Sequence, residues 1–239
     1  MQSTRRVAFE VCVETPHGIM ACEGYADRIE LCCALDLGGL TPSYGLMRQA
    51  KESGIETHVL IRPRAGSFEI SEAELAVAMA DIAAVKDLGL QGVVIGAIRD
   101  DALDLKILDK MVTAAKGLNL TLHRAFDLIP DRSAALEQAI DLGFHRILTS
   151  GGCATAIEGW EEIQKLCEQA SGRIEIMAGA GISPANVATL RDKTGCDAIH
   201  ASCTSSYPLP NAYQEKGFGR VSRRTDQDKL RQILAALRA

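Results

Sequence analysis

The sequence predicts an α/β fold, in which a single domain over residues 1–239 forms a (β/α)8 TIM barrel. Two observations predict it. Strand-like and helix-like stretches alternate strictly along the chain, and eight such pairs fill the 239 residues with no leftover domain. An open, doubly wound sheet obeys the same alternation. The eight complete units favour the closed barrel.

The predicted strands are short and rich in apolar residues. The fourth, Gly-Val-Val-Ile-Gly at residues 92–96, is typical of a strand that is buried on both faces. In chain order we expect strands at residues 7–12, 28–32, 56–62, 92–96, 120–124, 146–150, 173–178 and 197–201.

Helices are predicted between these strands from their capping residues and their periodicity. Thr41 or Ser43 is the expected N-cap of one helix, and Ser71 with Glu74 forms a capping box at the start of another. A closing amphipathic helix is predicted at residues 226–238. The preceding residues 204–225 are rich in Ser, Pro, Tyr, Asn and Gly, and we expect them to form an irregular, lid-like segment.

Composition limits the possible partners. The net charge is −5, so a nucleic-acid partner, which would require a basic face, is not expected. No apolar run approaches the ~20 residues of a membrane helix, and the segment from Met1 to Arg6 does not resemble a signal peptide. None of the eight cysteines forms a CxxC pair. We therefore expect free thiols in a reducing, cytoplasmic compartment and no membrane partner.

Polar residues gather at the C-terminal ends of the predicted strands, where TIM barrels place their active sites. The period of two directs one set of side chains into the barrel, namely Glu10, Cys12, Glu30, Cys32, His58, Arg62, His123, His200 and Ser202. Buried charge is costly unless it is paired. The set therefore predicts a functional site, and the alternative is a structural ion-pair network between Arg62 and the glutamates.

Acid–base chemistry is the first use that these residues suggest. Glu10, Glu30 and His123 are the candidate acids and bases, with Asp127 and His200 in support, because burial can raise a carboxyl pKa towards neutrality. Proton transfer, isomerisation or aldol-type cleavage would suit this set. No lysine ends a strand, so a Schiff base is disfavoured. Alternatively, His123 is a hydrogen-bonded core histidine and Asp127 belongs to a structural ion pair.

A small anionic ligand is the second expectation. Arg62, Arg64 and Arg124 would hold its carboxylate or phosphate through forked hydrogen bonds. The loops that follow the sixth and seventh strands could add backbone N–H donors, or could simply be tight turns. The expected contributors are Ser150, Gly151, Gly179, Gly181 and a helix that starts at Ser183 and Pro184.

Cys12 and Cys32 lie at the ends of the first two strands. Two soft thiolates there would suit Cu(I). The alternative is that both residues are small buried hydrophobes.

Several ordered motifs together resemble the CutC copper-homeostasis family; they lie at residues 9–12, 26–32, 38–43, 61–64, 123–127, 148–151 and 177–181. The resemblance implies a cytoplasmic TIM barrel that is often oligomeric, here a dimer or tetramer, with a role in copper tolerance or trafficking. The family's proposed Cu(I) thiols match Cys12 and Cys32. The polar mouth suggests the alternative of a small-molecule enzyme, or of a sensor that binds the same anion without turnover.

Overall fold

Eight parallel strands close into a barrel in the computed structural model, which describes residues 6–239. The strands are β1 Ala8–Val13, β2 Arg28–Leu31, β3 Thr57–Leu60, β4 Gly92–Ile95, β5 Asn119–Leu122, β6 Arg146–Thr149, β7 Glu175–Gly179 and β8 Ala198–Ala201. Each strand pairs with the next, and β8 pairs with β1. The predicted TIM barrel is confirmed. Residues 1–5, where no signal peptide was expected, lie outside the described part.

A helix follows each strand and packs on the outside of the barrel. The helices are α1 Pro16–Cys22, α2 Tyr44–Ser53, α3 Glu72–Asp87, α4 Leu105–Ala114, α5 Arg132–Asp141, α6 Trp160–Ala170, α7 Val187–Thr194 and α8 Gln227–Arg238. Ser43 caps α2, and Ser71 with Glu74 forms the predicted capping box of α3.

The helix α7 begins later than the sequence suggested. It starts at Val187 instead of at Ser183 and Pro184, because the Asn186 side chain accepts a hydrogen bond from Ser183 N at 2.8 Å. This bond closes a turn ahead of the helix and occupies an N–H group that was expected to face a ligand.

Residues 204–225 form an antiparallel hairpin where the sequence suggested an irregular segment. Thr204–Pro208 pairs with Val221–Thr225, and a short helix, Asn211–Glu215, lies between the two strands. Both strands are largely exposed. They lack the alternation of apolar and polar residues that identifies a half-buried strand, and this is why periodicity missed them.

The apolar core lies between the barrel and the helices. Outward-facing strand residues such as Phe9, Val11 and Ile29 are completely buried and pack in one cluster with helix residues such as Ile82 and Leu108. The removal of this apolar surface from water is the main force that holds the helices on the barrel.

Charged side chains fill the base of the barrel interior, where TIM barrels usually have apolar ones. Arg28 donates to Glu10 Oε2 at 2.5 Å and to Glu175 Oε1 at 2.7 Å. Arg146 binds both oxygens of Glu175, at 2.8 and 2.9 Å, and lies 3.3 Å from His58 Nδ1. The interior therefore does contain an ion-pair network, but its arginines are Arg28 and Arg146.

The network predicts a strong dependence on Arg146, whose side chain is 7% exposed. Arg146→Met should lower the free energy of unfolding by about 3 kcal/mol, because it leaves part of the Glu175 charge uncompensated in the interior. Urea unfolding measures this. The matched control is Arg173→Met, which breaks two hydrogen bonds to Glu137 and should change stability little, because the side chain of Arg173 is 47% exposed. Equal losses in both variants would contradict the argument.

Candidate functional site

Glu10, Glu30 and His200 meet in the barrel interior on three adjacent strands. Glu10 on β1 is the register partner of His200 on β8, and the β1 residue Cys12 is the partner of Glu30 on β2. One ligand atom from each of Glu10, Glu30 and His200 lies within 4.8 Å of the others, and His200 Nδ1 is 2.7 Å from Glu10 Oε1. The parallel register therefore brings together three residues that are far apart in sequence.

The three groups hold one another in unusual protonation states. Burial opposes the charge of Glu10, but the hydrogen bond from His200 and the charge of Arg28 hold its pKa well below its usual range. Burial raises the pKa of Glu30 to about 7, although the charge of His200 opposes this. Burial would lower the pKa of His200, but Cys12, Glu30 and Glu10 raise it well above 6.5. A proton can therefore be held at this site near neutral pH.

Cys12 and Cys32 border this cluster. Cys12 pairs in register with Glu30, so Cys12 and Cys32 are diagonal neighbours on the inner face of β1 and at the end of β2. Both are buried free thiols. Cys32 Sγ lies 3.5 Å from the Val13 carbonyl oxygen, and burial, followed by the charge of Glu30, raises its pKa far above the usual value.

His123 lies across the barrel from this cluster, because β5 and β1 are four strands apart in the closed sheet. Its Nδ1 accepts a hydrogen bond from Ala125 N at 3.1 Å, and its ring centroid is 4.8 Å from that of Phe68. Burial and then the charge of Arg62 lower the pKa of His123 to about 4. The ring is therefore neutral at pH 7, and an acid–base role for it stays a prediction.

Arg62 and Arg64 hold the loops at the mouth. Arg62 donates to the carbonyl oxygens of Leu37, Gly39 and Gly66 at 2.8 to 3.0 Å, and its guanidinium lies 4.6 Å from the Phe68 ring centroid. Its buried Nε has no hydrogen-bond partner in residues 6–239. Arg64 is more exposed; it donates to the Glu74 carboxylate and to loop carbonyl oxygens.

Asp127 organises the loop after β6. Its carboxylate accepts hydrogen bonds from Thr149 Oγ1, from Ser150 N and Oγ, from Gly152 N and from Arg124 Nε, at 2.5 to 3.1 Å. Arg124 Nη2 also donates to Ser150 Oγ at 2.7 Å. These contacts favour a positioning role for Asp127, and the ligand-binding role of Arg124 and Ser150 stays a prediction.

The predicted glycines allow close approaches around the mouth. A Cβ on Gly179 would lie 2.6 Å from Leu148 Cδ1 and 3.3 Å from His200 Cβ, so Gly179 makes room for the histidine. Gly151 and Gly181 both have a φ of +69°, a conformation that favours glycine. Ser202 lies exposed at the end of β8, with its Oγ 3.3 Å from Thr204 Oγ1.

Three residues of the interior network were missed from the sequence. Arg28 has the same parity on β2 as Glu30, and the parity rule also directs Arg146 and Glu175 inward on β6 and β7. The alternation in the sequence therefore already indicated their direction. They were missed because they are the first residues of their strands, whereas active-site residues are expected at the C-terminal strand ends.

Comparison with known proteins gives the family. The model of the CutC family matches residues 7–205. The chain belongs to the CutC family. A CutC family protein of Sinorhizobium medicae is 48% identical over 98% of this chain and 97% of its own length, and one of Caulobacter vibrioides is 47% identical over 99% of both.

A solved structure supports the same assignment. A CutC protein of Streptococcus agalactiae, whose description assigns it to copper homeostasis, superposes with a TM-score of 0.79 and 34% identity. The match covers 82% of this chain and 98% of that one. By name, the family is thus associated with copper homeostasis. Within residues 6–239, none of the helices has the length and hydropathy of a membrane span.

The lowered pKa of His123 predicts a pH-dependent stability. The unfolded chain takes up a proton on this group near pH 6.5, and the folded protein does so only near 4. Between these values the unfolded state binds more protons, so the folded state loses stability as the pH falls.

His123→Asn keeps an acceptor for Ala125 N and removes the titration. Relative to this variant, the wild type should lose roughly 3 kcal/mol of unfolding free energy as the pH falls from 7.5 to 4, measured by urea unfolding at each pH. The matched control is His17→Asn at an exposed position. A difference between wild type and His123→Asn that stays constant with pH would contradict the burial of a neutral imidazole.

Proposed function

We propose that this CutC family protein binds Cu(I) as its cargo through Cys12 and Cys32 at the mouth of the barrel. The observation that carries the proposal is that both residues are free, buried thiols on the same inner face of neighbouring strands. Soft thiolates prefer Cu(I) over harder cations. The family name, with its association with copper homeostasis, supports the same ion.

The surroundings of the two thiols suit a bound cation. Cu(I) binding requires both thiols to lose their protons, and burial makes this costly for Cys32 in the absence of metal. His200 borders Cys12, so its positive charge can offset part of the thiolate charge. The proposal includes a cytoplasmic location, where free thiols persist, and assembly of this chain into a dimer or tetramer.

Anaerobic titration of the reduced protein against a competing Cu(I) chelator tests this proposal. The wild type should bind one Cu(I) per chain, and the variant with both Cys12→Ser and Cys32→Ser should bind at least roughly a hundredfold more weakly. The matched control is Cys153→Ser, because Cys153 is an exposed thiol outside the barrel interior.

Weak Cu(I) binding by the wild type, or equal binding by the double variant, would contradict the Cu(I) proposal. A loss that is equally large in Cys153→Ser would place the ion outside the barrel and would contradict it as well.

A small-molecule enzyme or sensor is a second candidate function. The observation that favours it is the Glu10–His200 hydrogen bond beside Glu30, whose pKa of about 7 suits an acid or base at neutral pH. Proton transfer, isomerisation or a lyase reaction without a Schiff base would use these groups. Its ligand would be an anionic metabolite held by the arginines and backbone N–H groups of the mouth.

Thermal unfolding in inorganic phosphate tests the anion site. Phosphate at tenfold its Kd should raise the Tm of the wild type by about 3 °C. Arg124→Gln should reduce this rise, because Arg124 is a candidate ligand for the anion and donates a hydrogen bond to Ser150 in the loop after β6. Arg173→Gln, on the outer surface, is the control. No rise in the wild type, or the same rise in Arg124→Gln, would count against this anion site.

A further inference from the structure

The cluster of Glu10, Glu30 and His200 contains a buried carboxylate, that of Glu30, for which the neighbouring residues that the structure describes supply no hydrogen-bond donor. Glu30 is 6% exposed, and none of the residues 6–239 donates a hydrogen bond to its carboxylate. A buried carboxylate is costly unless a donor or a cation compensates it. Glu30 nevertheless points at a histidine nitrogen and a second carboxylate, all within 4.8 Å.

The two arginines of the interior do not bind the Glu30 carboxylate. Arg28 is bound to Glu10 and Glu175, and Arg146 is bound to Glu175. Around the cluster, these two arginines face three carboxylates, those of Glu10, Glu30 and Glu175. The remaining neighbour with a positive charge is His200, and its Nδ1 is 2.7 Å from Glu10 Oε1. Glu30 is therefore the carboxylate of the cluster that accepts no hydrogen bond from residues 6–239.

We propose that Glu10, Glu30 and His200 bind one divalent first-row transition-metal cation, such as Zn²⁺. Two carboxylate oxygens and an imidazole nitrogen are ordinary ligands for Zn²⁺ and its neighbours, whereas carboxylates are poor ligands for Cu(I), which prefers sulfur. The carboxylate ligands distinguish this site from the Cys12 and Cys32 thiols, and the proposal does not rest on the Cu(I) proposal.

The geometry requires only small side-chain movements. Around a tetrahedral zinc, ligand atoms lie about 3.3 Å from one another, given bonds of about 2.0 Å. The three ligand atoms now lie within 4.8 Å of one another, and the flexible side chains of the two glutamates can bring them to the shorter spacing. If the metal binds Nδ1 and Oε1, their present 2.7 Å contact opens, and the cation replaces the proton between them.

The strands and Arg28 preorganise the site. The backbone of each ligand residue lies in a barrel strand, and Arg28 fixes the second oxygen of Glu10 at 2.5 Å. Partners of this kind orient metal ligands and commonly tune their affinity. Three protein ligands leave a fourth position for water or for a small molecule, as in catalytic zinc sites.

Binding of Zn²⁺ and Co²⁺ to the chelator-stripped, full-length protein tests the proposal. Calorimetry should give one Zn²⁺ per chain, and Co²⁺ should give the absorption spectrum of a low-symmetry site. Glu30→Gln should weaken Zn²⁺ binding by roughly a hundredfold. The matched control is Glu72→Gln, whose carboxylate is 71% exposed on the outer surface and which should bind as the wild type does.

A folding defect is not expected in this variant, because Glu30→Gln keeps the side-chain shape and removes a carboxyl group whose ionisation is opposed by burial. The Tm of the stripped variant should equal or exceed that of the wild type, and added Zn²⁺ should raise the Tm of the wild type alone. Equal Zn²⁺ affinity in wild type and Glu30→Gln overturns the proposal. So does a Co²⁺ spectrum with thiolate charge-transfer bands that disappears in the Cys12→Ser/Cys32→Ser variant and persists in Glu30→Gln.

The Cu(I) and Zn²⁺ experiments fail independently. Loss of Cu(I) binding with the thiols leaves the carboxylate–histidine site intact, and absence of Zn²⁺ binding leaves the thiol site intact. Each result therefore decides one proposal.

Discussion

The two salt bridges of Arg28 are the interaction on which the interior depends. Its guanidinium joins Glu10, which faces the mouth, to Glu175, which belongs to the base. Charges at this depth interact strongly because water screens them little. Arg28 and the hydrogen bond from His200 together hold Glu10 ionised, and the loss of Arg28 would leave His200 as its main partner.

His200 connects two neighbouring sets of ligands with different chemistry. On one side its ring meets the carboxylates of Glu10 and Glu30, and on the other it borders the thiol of Cys12. The carboxylate oxygens, which are hard donors, and the Cys12 sulfur, which is a soft donor, therefore lie next to the same imidazole. All of these side chains are carried by barrel strands. A cation at either set would change the charge that the other set experiences, so the two proposed metals would influence each other through His200.

The sequence was sufficient for the barrel and for the inward set of residues. Alternation identified eight units, and the parity of β1, β2 and β8 directed Glu10, Glu30 and His200 to one interior. Parity does not identify partners across a barrel, however. For that reason the alternative of an ion-pair network between Arg62 and the glutamates is wrong, since Arg62 binds carbonyl oxygens. The sequence offered the ion pair of Asp127 with Arg124 as an alternative, and the structure contains it. The contacts of Asp127 with the loop after β6 were inaccessible, because that loop is distant in sequence.

The distribution of unused donors and acceptors at the mouth favours a cation over a large anion. The loops that follow β3 and β6 receive most of the hydrogen bonds of Arg62, Arg64 and Asp127. These bonds make the loops rigid. An anion that needed the arginines would have to compete with these bonds, at a cost in loop order. Glu30 has no such bonds to lose. The proposed cation at Glu30 would therefore displace none of the hydrogen bonds that hold these loops, whereas an anion at the guanidinium groups would.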